Sequence, residues 1–171
     1  MRKFLCLVFV LFSSVAYAAH DAIESSIPSA EVVGKGRLSL VFWDVYDATL
    51  YAPQGKWDAK KPMALSIHYF REIEGKDIVD RSIGEMRKQG FSDEAKLAKW
   101  QKEMAAFFPQ VKNGDELMGV YIPGKPTQFY LGEKRIGTIK DGDFGEHFFA
   151  IWLSEKTSEP KLRKQLLGEK A

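Results

Sequence analysis

The chain has 171 residues, enough for one domain with its own core, and a formal charge of +2 from 25 basic and 23 acidic side chains. So even a balance gives no basic surface for nucleic acid or for anionic lipid, and no such partner is expected. The single cysteine, Cys6, excludes a disulfide within the chain.

Arg2 and Lys3 precede an apolar run over residues 4–12, and Ala16-Tyr17-Ala18 is a small-residue cleavage site. Residues 1–18 therefore read as a secretory signal peptide cut after Ala18. The apolar run falls far short of the roughly 20 residues that span a bilayer, so no membrane span is expected after cleavage. Cys6 lies inside that run rather than behind it, which excludes a lipid anchor at this residue. Loss of Arg2 and Lys3 takes the basic residues from 25 to 23, equal to the acidic ones. Loss of Cys6 leaves no thiolate chemistry, iron–sulfur ligation or c-type haem attachment.

Residues 19–30 are small, polar and interrupted by Pro28, and read as a flexible leader. The domain proper is expected over residues 31–171. Gly34 and Gly36 mark a bend or bulge at the entry to a strand over residues 38–42, and a second strand covers residues 45–51. Trp57 sits in the following loop as a lid or anchor. Residues 63–70 alternate as a third strand, with Met63, Leu65, Ile67 and Tyr69 on one face and Ser66 and His68 on the other.

The period then changes. Ile78, Val79, Ser82, Ile83 and Met86 form one stripe of a helix over residues 76–88 that Gly90 ends. Ser92 is placed to cap a second helix, buried through Leu97, Trp100, Met104, Phe107 and Phe108. After the turn pair Asn113-Gly114, strands are expected over residues 117–122, 128–131 and 135–139. Helices follow over residues 144–153 and 160–167, the last opened by Pro160 and closed by Gly168. The order predicts an α+β fold: a mainly antiparallel β-sheet with helices packed on one face, an open-faced sandwich.

The pattern G-x-G-R at residues 34–37, followed by V-Y-D-A-x-L-Y at residues 45–51, resembles the opening strands of the chalcone isomerase fold in its bacterial exported branch. The stretches LSIHYFREIEGKDIVDRSIGEMRKQG, FFPQVKNGDELMGVYIPG, YLGEKRIGTI and FGEHFFAIWLSEKTSEPKLRKQLLG continue the resemblance in order. It implies the same architecture with a ligand cleft between helices and sheet, and for an exported chain of this branch it implies the periplasm. A shared fold fixes the architecture far better than the chemistry.

The resemblance implies an arginine on the early strands facing the cleft, and a hydroxyl residue further on: threonine in the enzymes, tyrosine in the fatty-acid-binding relatives. Tyr46 falls at the hydroxyl position and Arg37 is the nearest arginine upstream. A guanidinium and a phenol together suit a carboxylate at the mouth of an apolar pocket. Nine positions separate them, so a regular strand points them to opposite faces unless a bulge or turn intervenes. The alternative is Arg37 on the solvent face with a surface acid. Tyr69 and Arg71, in the polar cluster His68-Tyr69-Phe70-Arg71, complete the candidate ligand-binding set.

Counted from Gly75, the positions of the catalytic tyrosine, lysine and asparagine of the enzymes hold Ile78, Arg81 and Glu85; a further one, often threonine, falls at Ala150 or Ile151. Donors for the charge that develops in chalcone cyclisation are missing, so no confident catalytic residue is assigned. His68 and His147 lack the spacing of a metal site, and Asp141-Gly142-Asp143 lacks the rest of a calcium loop. There is no nucleotide or cofactor fingerprint and no nucleophile elbow, so no cofactor is expected. The sequence thus predicts non-catalytic binding of a small apolar, fatty-acid-like ligand. Two alternatives stay open: an intramolecular lyase or isomerase using Arg71, Tyr69 and Glu85, and a periplasmic protein–protein interaction module with a filled interior.

Overall fold

The structure, a computed structural model, describes residues 23–169; the predicted signal peptide lies outside the described residues. Six strands form one sheet: β1 (Ala30–Leu40), β2 (Trp43–Pro53), β3 (Met63–Tyr69), β4 (Glu116–Tyr121), β5 (Thr127–Leu131) and β6 (Lys134–Ile139). They lie in sequence order and every neighbour is antiparallel. Helices α1 (Gly75–Lys88) and α2 (Glu94–Ala105) are inserted between β3 and β4, and α3 (Phe144–Leu153) and α4 (Pro160–Leu166) follow β6. The result is the expected α+β architecture, with these helices on one face.

Alternation decides which face the helices take. Leu50, Leu65, Leu117, Phe129 and Ile139 point into the main core, where they meet Val79, Ile83 and Met86 of α1 and Leu97, Trp100 and Met104 of α2. Phe144, Phe148 and Phe149 of α3 add a chain of edge-to-face and stacked aromatic contacts around Phe129. Asp93, not Ser92, caps α2: its side chain accepts from the Lys96 amide at 3.0 Å. A carboxylate at that position also meets the positive end of the helix.

Two readings of the N-terminal part change. Residues 23–30 are not a loose leader. Residues 23–26 are helical, and Ile23 and Ile27, four apart on one side of that turn, are buried with Ala30 against Ala64, Met118 and Val120 on the far face of the sheet. Val41 and Phe42 do not extend a strand. They are the two central residues of the β1–β2 turn, closed by the Leu40–Trp43 pair. Trp57, expected as a lid or anchor, is half-buried against the main core.

The sheet is irregular where the glycines foretold it, with register shifts between Val32 and Gly34 and between Leu38 and Ser39. The glycines also serve contact. A β-carbon on Gly34 would stand 2.2 Å from the Gln165 carbonyl oxygen of α4, and one on Gly137 would stand 2.2 Å from the Phe107 ring. Gly84, inside α1, has nothing within 4 Å of that position. Gly34→Ala is therefore expected to destabilise the fold by about 1–3 kcal/mol by displacing α4. Gly84→Ala is expected to stabilise it by about 0.5–1 kcal/mol through helix propensity. Urea unfolding of the two variants checks both signs.

Candidate functional site

The two layers do not close over the β1–β3 end of the sheet. A cavity of about 270 Å³ remains there between sheet and helices. Its floor is Leu38 and Leu40 of β1, Val45 and Tyr46 of β2, and Ile67 and Tyr69 of β3. Register explains why Leu38, Tyr46 and Tyr69 share a face, since Leu38 pairs with Tyr46 and Tyr46 with Tyr69; Val45 is the residue that the pairing skips at the bulge after Leu38. Its roof comes from Ile78, Arg81, Ser82 and Glu85 of α1 and from Phe148, Ile151 and Trp152 of α3. The α1 residues follow the spacing i, i+3, i+4, i+7, one helical stripe beside the fully buried one.

The walls are mostly apolar and the polar groups are few. Trp152 Nε1 donates to the Tyr46 hydroxyl at 3.0 Å, and the Tyr46 and Tyr69 rings meet edge to face at 5.9 Å. An indole N–H can only donate, so the Tyr46 oxygen accepts here and its own proton stays available to a ligand. Burial pushes the Tyr46 phenol up to about 12, and burial also raises that of Tyr69. Both are neutral hydroxyls across the physiological range.

Charge gathers at one side of the cavity, on Asp77, Arg81, Glu85 and Glu159. Glu85 is buried, which by itself raises its pKa. Hydrogen bonds from Lys88 and Ser158 and the charges of Lys88 and Arg81 outweigh this and hold the carboxyl below its ordinary range. Lys88 Nζ lies 2.9 Å from Glu85 Oε1. Arg81 reaches Glu159 only at 3.7 Å, too far for a hydrogen bond. Its guanidinium is thus loosely held beside an apolar chamber.

The four candidate residues separate. Tyr46 and Tyr69 line the cavity; Arg37 and Arg71 do not. Arg37 sits directly opposite Asp47, one position off the Leu38–Tyr46 pair, and so projects from the other face of the sheet. There its Nε and Nη2 donate to Asp47 at 2.6 and 2.9 Å and its Nη1 to Asp44 at 2.7 Å. The bulge after Leu38 falls on the tip side of Arg37 and does not turn it into the cleft. Arg71 packs over the Trp43 ring at 4.7 Å, outside the cavity. The cation that does border the cavity is Arg81, which the sequence placed only by counting from Gly75.

The remaining polar motifs have structural partners. His68 meets Phe70 edge to face, and His147 packs against Phe91 and Trp100. Asp141 accepts from Trp100 Nε1 at 3.1 Å and from the Asp143 amide at 3.2 Å, as a turn before α3 would. Among the described residues no group of His, Cys, Asp and Glu gathers to hold a metal ion, and no helix is long and apolar enough to cross a membrane.

Comparison with known proteins agrees with this fold. The crystal structure of an Arabidopsis thaliana fatty-acid binding protein matches with a TM-score of 0.63 at 14% identity, over 82% of this chain and 87% of that one, a likeness that shows the fold. A Haemophilus influenzae protein described as uncharacterized is 28% identical over 168 residues, covering 98% of this chain and 78% of its own length. The chalcone isomerase-like family profile matches residues 20–168, so the chain belongs to the chalcone isomerase-like family.

Proposed function

We propose that this is an exported, periplasmic protein that binds a small apolar carboxylic acid, of fatty-acid type, without transforming it. One observation carries the reading: a largely apolar cavity whose one lining arginine, Arg81, is held only by a 3.7 Å ion pair to Glu159, too long for a hydrogen bond. At about 270 Å³ the space is near the small end of ligand pockets, roughly 300–1,000 Å³, which suits a ligand of modest length. Arg81 would take the carboxylate, Tyr46 would donate one further hydrogen bond, and the chain of the acid would lie along Ile67, Phe148 and Ile151. The fatty-acid binding protein that shares the fold supports the ligand class. The lack of a hydroxyl at Ile78, the position that the family resemblance assigns to the enzymes' tyrosine, supports binding without reaction, since this side chain faces the cavity and cannot donate.

Decanoate binding followed by native mass spectrometry and calorimetry tests the site. Arg81→Met is expected to lose about 1.5–3 kcal/mol of affinity, roughly ten- to a hundredfold in Kd, while Arg37→Met binds as the parent does. Equal binding of decanoate and decanol, unchanged in Arg81→Met, would overturn the carboxylate anchor. Because the Tyr46 phenol titrates only near pH 12, its proton is retained and the affinity is expected to stay flat from about pH 7 to 10, where an ordinary phenol begins to ionise. Tyr46→Phe is expected to weaken binding by about 0.5–1.5 kcal/mol at every pH in that interval.

A further inference from the structure

The tip of the β1–β2 hairpin is built against the usual chemistry of a turn. Val41 and Phe42, at its centre, are 88% and 90% exposed, and the flanking Leu40 and Trp43 are 44% and 63% exposed. Val41 has φ +55°, in the left-handed region that two-residue hairpins fill with glycine and that disfavours a β-branched side chain. The turn therefore keeps a bulky apolar residue at a position where a small or polar one would be easier to fold. The tip also adjoins the cavity: Leu40 and Val45, on either side of it, line the chamber.

We propose that this tip inserts into the surface of a lipid bilayer and seats the cavity against the membrane. The shape favours lipid over a protein partner. Successive side chains fan out around a convex turn, so one protein face would cover some of them and leave the rest in water, whereas a fluid apolar medium surrounds all. The neighbouring groups fit the headgroup level. Trp43 is an interfacial residue with Arg71 stacked on it at 4.7 Å, and Lys112 lies beside them in the same surface depression. The two acids of that depression have partners: Asp44 accepts from Arg37 and Ser39, and Glu72 from Gln110. With mixed charge around it, the tip is held by its apolar side chains and needs no anionic lipid. Direct passage of an apolar acid between bilayer and cavity follows from the same contact, and that step alone rests on the ligand-binding reading.

The test is sedimentation with vesicles of phosphatidylcholine and with vesicles of phosphatidylethanolamine and phosphatidylglycerol, using the chain without residues 1–18. Both vesicle types are expected to bind the parent. Phe42→Asp is expected to lower the partition coefficient roughly tenfold or more, as loss of one buried aromatic side chain implies. Val41→Gly is expected to weaken vesicle binding while raising the unfolding temperature, which separates loss of contact from loss of fold. Decanoate affinity in solution serves as the independent readout. Tip-dependent vesicle binding supports the contact even in a protein that takes up no decanoate, an outcome that would defeat only the ligand reading. A parent that stays in the supernatant with both vesicle types, or sediments equally with Phe42→Asp, overturns the proposal. So does a dimer in sedimentation velocity that Phe42→Asp abolishes while vesicle binding is absent.

Discussion

Close packing onto strand glycines at both margins of the sheet sets the rest of the structure. At one margin the α4 backbone lies on Gly34, and at the other Phe107 occupies the space that a side chain on Gly137 would need. With the margins pinned, the aromatic cluster of Phe129, Phe144 and Phe148 fills the span between layers. Over Leu38, Tyr46 and Tyr69 the layers stand apart, and the cavity is the part of that interface left unfilled. The segment joining α3 to α4 is tied down by Thr157 to the Ile151 carbonyl at 2.7 Å and by Arg163 to the Leu153 carbonyl at 2.8 Å. Those two bonds bring Ser158 and Glu159 to the cavity edge.

Two arginines with similar prospects in the sequence have opposite electrostatic fates. Arg37 is bracketed by two carboxylates on the solvent side of the sheet, so its donors are engaged and a further anion would meet negative charge. Arg81 shares the cavity edge with Asp77, Glu85 and Glu159, but its ion pair to Glu159, at 3.7 Å, is too long for a hydrogen bond and leaves its donors open to a ligand. Glu85 adds negative charge beside it, with one of its oxygens held by Lys88. The site is therefore one cation beside the carboxylates Asp77, Glu85 and Glu159 at one side, two neutral phenols, and a hydrocarbon lining.

Most of the fold was legible because each element carries one clean period. The alternation of Met63, Leu65, Ile67 and Tyr69 marked β3 and its inward face, and the stripe of Leu97, Trp100 and Met104 marked α2. The site was legible only in part. Tyr46 was identified through its position in the V-Y-D-A-x-L-Y pattern, but Arg37 was paired with it by nearness along the chain. Pairing across the hairpin decides orientation, and it sets Arg37 against Asp47 instead. Arg81 was named only by counting from Gly75, although Ile78, Ser82 and Glu85 share its helical stripe. The signal was a mainly polar stripe, Arg81, Ser82 and Glu85 with Ile78, directly beside the buried Val79, Ile83 and Met86. The turn at Val41-Phe42 was hidden because neither residue has turn chemistry, and Ile23 and Ile27 were hidden among serines.

The central claim is that the space under Arg81 is a ligand chamber, and methyl NMR with labelled isoleucine tests it most directly. Ile67, Ile73, Ile78 and Ile151 line the cavity, whereas Ile23 and Ile27 are buried on the opposite face of the sheet. Titration with decanoate is predicted to shift the methyl signals of the first four in a saturable manner and leave Ile23 and Ile27 unmoved. Unshifted cavity methyls at saturating decanoate, or shifts confined to Ile23 and Ile27, would contradict the account.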